Sequence, residues 1–390
     1  MIKTFYFLLL CLPLLFAGCK SGQVAFGSEQ VADITKIPKE IFSGNQDRFH
    51  VQGIAVDLQR GYIYFSFTTQ LLKTDLQGNL IGSVKGLTGH LGCLTVNPDD
   101  GRVYGSLEYK NDAIGKGIDG QQAAERRSAF YIAIFDVEAI TRPGMDAEKD
   151  KVMTTVFLKE PTDDYYASVV NGGREVEHRF GCSGIDGTTF APEFGKGKSG
   201  KYYLHVAYGI YGDVKRTDND YQVILAYDTR NWKKYERPLS QNDLHFSGPE
   251  KPLHKYFVRT GNTSYGIQNL AYDPASGNCY AAVYAGKKSS YPNYSLFVID
   301  GSEKARKEKL QGFDTDVEGE VLSLLPQGLY DAASDTWGWN FKWGATGLCP
   351  LGNGYFYISH NGVSEDKKQN STVCLYRWTG NEKQPFVRVE

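Results

Sequence analysis

Methionine is scarce at 3 residues and histidine at 7, and neither sign of charge dominates: 43 Lys and Arg stand against 45 Asp and Glu. A formal net charge of −2 argues against a nucleic-acid binder, which usually carries a basic domain or stripe, so no nucleic-acid partner is expected. The seven cysteines form no CxxC pair, and their spacing compels neither a metal site nor a disulfide. No G-x-S-x-G elbow, H-E-x-x-H motif, P-loop or dinucleotide fingerprint occurs, so any catalysis would rest on residues far apart in sequence. What the chain has in excess is glycine, 43 of 390 residues against the roughly 7% of an average chain. Aromatics follow, mostly 26 Tyr and 21 Phe. That combination favours strands joined by tight turns over long helices. With 41% apolar and 23% charged residues, the chain can bury a core.

The first residues read as a targeting segment. Lys3 precedes the apolar run FYFLLLCLPLLFAGC, and KSGQ follows abruptly, which is the grammar of a signal peptide over residues 1–18. The stretch Leu15-Phe16-Ala17-Gly18-Cys19 resembles a bacterial lipobox, with Phe16 where that motif usually has Leu. The resemblance implies lipidation of Cys19, a tether over residues 19–40, and a protein held at a bacterial cell envelope, facing the periplasm or the exterior. The remaining cysteines, Cys93, Cys182, Cys279, Cys349 and Cys374, read mainly as small buried apolar residues.

From residue 41 to 390 a motif returns five times. Its units begin at HVQGIAVDLQRGYIYFSF (50–67), HLGCLTVNPDDGRVYGSLEY (90–109), HRFGCSGIDGTTFAPE (178–193), YGIQNLAYDPASGNCYAAVYAG (265–286) and WGATGLCPLGNGYFYISHNG (343–362). Each has a glycine-started apolar strand, a turn such as PDDG or LGNG, and a tyrosine-rich strand; a third strand often ends in Asp. Pairs such as Tyr62/Tyr64 and Tyr355/Tyr357 have the period of two expected of strands. Repeated four-stranded antiparallel units make an all-β, single-domain β-propeller. Five blades with long inter-strand insertions are expected, six or seven being the alternative and a two-sheet sandwich the competing architecture. Stretches 110–128, 194–200 and 211–220 read as loops, whereas VMTTVFL and HKYFVR could be fourth strands. With the lipobox, this grammar resembles the β-propeller lipoproteins of Bacteroidetes, a resemblance that implies the fold without implying a reaction.

Candidate site residues follow from where inner strands begin, since these positions face a propeller's channel. His50, His90 and His178 each precede the glycine of such a strand, and three imidazoles on one axis suit general acid–base work beside Glu177. A divalent metal on the three histidines is the alternative to having no cofactor. Asp57, Asp99, Asp186 and Asp273 follow the inner strands and read as turn caps. Trp337, Trp339 and Trp343, with Tyr265, offer flat faces for sugar rings or peptide side chains, and Tyr166 and Arg174 lie in an insertion that reaches the same rim. Three functions are consistent with this set. They are a propeller binding a glycan, peptide or envelope protein at its channel mouth, a carbohydrate hydrolase or lyase using the histidines, and a scaffold subunit of an envelope complex.

Overall fold

The computed structural model describes Met1 and residues 33–390. Cys19, nearly all of the expected signal peptide, and residues 19–32 of the expected tether lie outside the described residues. No helix among the described residues is long and apolar enough to cross a membrane.

Five mainly antiparallel sheets form a ring. Their inner strands are Gly53–Asp57 in blade I, His90–Val96 in blade II, Cys182–Pro192 in blade III, Thr263–Asp273 in blade IV and Leu348–Gly352 in blade V. Each of these lies beside the inner strand of the next blade, and blade V returns to blade I. Five apolar cores lie between the blades. Tyr64 of blade I packs with Leu91 and Tyr131 of blade II, for example, and Tyr357 of blade V packs with Ile54 and Phe65 of blade I. This arrangement explains why the expected alternation fades in the middle strands. Ala129–Phe135 and Tyr221–Tyr227 are buried along their whole length because a neighbouring blade covers each face. The five-bladed propeller is therefore the fold, and Met153–Phe157 and His254–Arg259 are the fourth strands of blades II and III.

Two features depart from the expectation. The stretch 110–128 is not simply a loop: it holds the short helices Ala113–Asp119 and Gln121–Glu125. The fourth strand of blade V is assembled from both ends of the described chain. Glu40–Phe42 pairs with Thr372–Cys374, and Phe386–Arg388 pairs with Tyr376–Trp378 on the same long strand. The five cysteines among the described residues are free thiols, four of them buried.

Near the axis the inner strands are locked by polar side chains. Asn269 is fully buried and donates from Nδ2 to the carbonyls of Gln52 and Ala345, both at 2.9 Å. Ser66 donates to the Gly92 carbonyl at 2.6 Å, and Thr188 donates to the Cys93 carbonyl at 3.1 Å. The strands approach so closely that a Cβ on Gly53 would sit 2.8 Å from the Cys93 Cα. Asn269→Ala strands two buried carbonyls and is expected to cost about 2–4 kcal/mol, as read by urea unfolding. Gly53→Ala is expected to lower the same midpoint by overpacking; an unchanged midpoint for both would show that the axis is not tightly packed.

Candidate functional site

At one end of the axis the inner hairpins of blades II, III and IV lose their regular register. Irregularities fall between Leu91 and Leu94, between Ile185 and Thr188, and between Ser264, Ile267 and Asn269. Such bulges re-aim side chains, and here they bring polar groups of four blades onto a cavity of about 520 Å³. Blade I supplies His50, Gln52 and Thr68, blade II His90, Glu108 and Lys110, blade III Ser183 and Asp186, and blade IV Tyr265, Gln268 and Tyr284. The roof comes from the helix Ala113–Asp119, which presents Ile114 and Ile118 to the cavity. Asp112 caps that helix by accepting from the backbone N–H groups of Ile114 and Gly115, both at 3.0 Å, and its other oxygen accepts from the Tyr211 hydroxyl at 2.8 Å. A blade III tyrosine thus ties down the lid of a blade II insertion.

The floor is an ionic cluster. His90 and Glu108 are cross-strand partners, with His90 Nδ1 3.5 Å from Glu108 Oε2, too long for a good hydrogen bond. Lys110 Nζ lies 2.9 Å from the same oxygen, and the Ile185 N–H donates to Glu108 Oε1 at 2.7 Å. Burial is the largest influence on the Glu108 carboxyl and disfavours its ionised form, but the Lys110 ammonium and His90 together outweigh it and hold the carboxyl below its ordinary value. Lys110 is raised for the reciprocal reason, Glu108 and Asp112 overcoming its own burial.

Asp186 behaves oppositely. Burial, reinforced by the negative Glu108, pushes its carboxyl up to about 7, with His90 opposing. Its Oδ1 has no hydrogen-bond partner among the described residues. That oxygen lies directly under Gly92, where a Cβ would stand 2.3 Å away, so only glycine leaves room for it. Two carboxyls in one cavity therefore differ in charge near neutrality. Burial also lowers the basicity of His50, with His90 adding to the effect. Three non-glycine residues of the lining hold positive φ, Phe49 at 62°, Thr68 at 39° and Tyr265 at 69°, and strain of this kind gathers at functional sites.

Of the residues expected from sequence, His50, His90 and Tyr265 meet in this cavity. His178 does not. Its Nδ1 is 2.6 Å from the Tyr165 carbonyl oxygen and its ring packs on Tyr165 and Tyr211, so it holds a loop in place. Glu177 beside it is exposed on the two-stranded hairpin that also carries Arg174. The three-histidine centre is therefore not formed, and among the described residues no group of three or more His, Cys, Asp or Glu is arranged to hold a metal.

The tryptophans separate as well. Trp339 is fully buried against Trp378, and Trp343 is stacked on His360 at 4.0 Å with Lys342 over its ring. Neither offers a free face. Trp337 stacks on the exposed Tyr330 at 4.5 Å and borders a separate groove with Gln327, Asn381 and Glu382. Tyr166 is exposed, donating to the Ser128 carbonyl at 3.2 Å, and lies outside the axial lining. The turn-capping role expected of Asp186 is not what the structure shows. Asp57 and Asp273 do cap turns, accepting from Arg60 and from Ala275 and Ser276, but Asp186 lies within an eleven-residue strand and faces the cavity. Its flanking glycines in GIDG were the available signal.

No family model matches the chain, and no curated protein matches it. Solved structures are similar at the level of the chain path. The PQQ domain of pyranose dehydrogenase from Coprinopsis cinerea is 13% identical over 83% of this chain and 81% of that one, with a TM-score of 0.38. The calcium-binding protein regucalcin from Agrobacterium tumefaciens is 9% identical over 90% and 98%, with a TM-score of 0.32. The β-propeller domain of Cps50 (Swd1) from Myceliophteria thermophila is 12% identical over 84% of each chain, with a TM-score of 0.27. At these values none of them carries a ligand or a reaction over to this chain.

The raised Asp186 carboxyl sets a pH dependence. Below about pH 4 it is neutral in both the folded and the unfolded chain. Between there and about 7 the unfolded chain ionises while the folded one keeps its proton, so stability is lost as pH rises and then levels off. Thermal melts of wild type and Asp186→Asn across pH 4–8 should diverge over that window, the variant gaining relative to wild type. Parallel curves would place the Asp186 carboxyl at an ordinary value.

Proposed function

We propose that this chain is a ligand-binding propeller of the bacterial envelope, anchored through a lipid on Cys19, whose axial cavity takes a hydroxyl-bearing ring such as a sugar unit of a glycan. The convergence of side chains from four blades on one roofed cavity carries this reading. Its volume falls within the range of roughly 300–1,000 Å³ usual for small-molecule sites. A sugar presents an apolar C–H face and a rim of hydroxyls, and the lining has a counterpart for each. The half-exposed Tyr265 ring, edge-on to Tyr284, offers a stacking surface, and Ile114 and Ile118 supply apolar cover. Asp186 and Glu108 accept from hydroxyls, while the Gln52 and Gln268 amides can donate or accept. Binding of this kind requires no metal or cofactor.

A second reading, a carbohydrate hydrolase or lyase, is favoured by one observation. Asp186 holds its proton up to about 7 while Glu108 is held ionised, and such a split assigns acid and base in many sites. Asp186 would then be the proton donor, and turnover would fall as pH rises through about 7.

A glycan array followed by calorimetry separates these readings. Tyr265→Ala and Asp186→Asn are each expected to weaken binding of the array's best glycan about tenfold, of the order of one lost aromatic or polar contact. Trp337→Ala should leave it unchanged. Release of new reducing ends by wild type, absent from Asp186→Asn, would establish the enzyme. Equal loss with Trp337→Ala, or binding only to peptides, would overturn the axial sugar site.

A further inference from the structure

A second cavity, of about 620 Å³, opens away from the axial lining between blades III and IV. Its walls are the loop 214–220, the end of the strand His254–Arg259, the loop 287–291 and Gln311-Gly312. Four cationic side chains line it, Arg216, Arg259, Lys287 and Lys288, against the single lining carboxylate of Asp220.

Two of the cations are already engaged. Arg216 donates to both oxygens of Asp218 at 2.8 Å and to the His178 carbonyl at 2.8 Å. Lys288 is buried and donates to the Arg216 carbonyl, to Asn219 Oδ1 and to Asp220 Oδ1. Asp220 completes its own set by accepting from the Tyr291 hydroxyl at 3.0 Å. These contacts fix the cavity's framework, and the loop 214–220 is pinned from behind, where Thr217 and Asn171 both donate to the Gly312 carbonyl.

Arg259 and Lys287 remain uncompensated. Among the described residues neither pairs with a carboxylate, and the Arg259 guanidinium reaches only the Tyr291 hydroxyl, at 3.5 Å. The Tyr291 hydroxyl, held by Asp220, makes only this long contact with the guanidinium, whose N–H groups are left to the cavity. Ser289 and Ser290 add hydroxyls to the same lining. A planar fork of donors next to a second cation and hydroxyls matches an oxyanion in both charge and geometry.

We propose that this cavity is a second binding site, distinct from the axial one, for an anionic oxygen group, a carboxylate or a sulfate or phosphate, carried on a larger molecule. Its volume exceeds that of a bare ion. Arg259 is the residue that grips the group, Lys287 adds charge, and the Arg216–Asp218 and Lys288–Asp220 pairs position the walls.

The test is calorimetric titration of the full folded protein with glucuronate, inorganic sulfate and inorganic phosphate at low salt. At least one probe should bind to wild type, and which one binds identifies the anion. Arg259→Gln should weaken that binding at least tenfold. Arg259→Lys should lose less, because it keeps the charge but not the fork. Lys287→Ala, at an exposed position, gives an independent readout should an Arg259 variant fold poorly. Arg230→Gln, on an exposed arginine paired with Asp228 elsewhere, and Asp186→Asn in the axial cavity should both leave it unchanged. Failure of all three probes to bind, or equal weakening by Arg230→Gln and Arg259→Gln, would overturn the site. An effect of Asp186→Asn would also overturn it, by placing the anion at the axis.

Discussion

Everything in this molecule depends on how closely five inner strands can approach one axis. Where blades I and II meet, Gly53 faces the Cys93 backbone with no room for a methyl group. The amide of Asn269 spans the remaining gap to two other blades through the carbonyls of Gln52 and Ala345. Dispersion and hydrophobic burial between blades supply the bulk of the driving force, but neither is directional. The axial hydrogen bonds are directional, and they set the rotation of each blade about the ring. The cavity at the channel mouth inherits its shape from that rotation.

The same closeness governs the chemistry. Glu108 and Asp186 are both buried carboxyls near His90, yet they differ because Glu108 has an ammonium within 2.9 Å and Asp186 has none. A buried pair such as Glu108–Lys110 contributes little net stability, whereas removing one partner from a pair of this kind costs about 3–5 kcal/mol. Such a pair is best understood as fixing the charge of its neighbourhood. Here it fixes a negative charge beside Asp186, and that charge helps to keep the second carboxyl protonated.

The fold was largely legible in the sequence because its signal is local and repeated. Tyr62/Tyr64 alternation, turns such as PDDG and the recurrent glycine-led strand all report on hairpins, and five hairpin units have few ways to pack. The site was legible only in part. His50, His90 and Tyr265 sit at strand starts and could be placed by counting. Asp186 could not, because the irregularity between Ile185 and Thr188 breaks the period of two on which such counting relies. His178 occupies an equivalent position in sequence but is turned by its left-handed backbone, with φ of 66°, toward the Tyr165 carbonyl. Density of tryptophan along the chain was likewise a poor guide. Trp337 and Trp339 are two residues apart, yet one lies at the surface and the other is enclosed by Trp378 and its neighbours.

The outermost strand of blade V is nicked: its two pieces, Glu40–Phe42 and Phe386–Arg388, come from positions almost 350 residues apart, and Arg388 pairs with Glu40 where they abut. This dictates an order of assembly. Blades I to IV can form as the chain is made, but the ring stays open until blade V, with its long strand Gln369–Trp378, arrives to pair with Glu40–Phe42. During that interval Ile41 has no partner strand, and the apolar flanks of blades I and IV, which blade V later covers, face solvent. Closure is thus the most non-local step of folding and the slowest by topology, and the half-built ring is the species most exposed to aggregation. The half-built ring must therefore stay shielded until the Glu40–Phe42 piece and the late strands of blade V can meet.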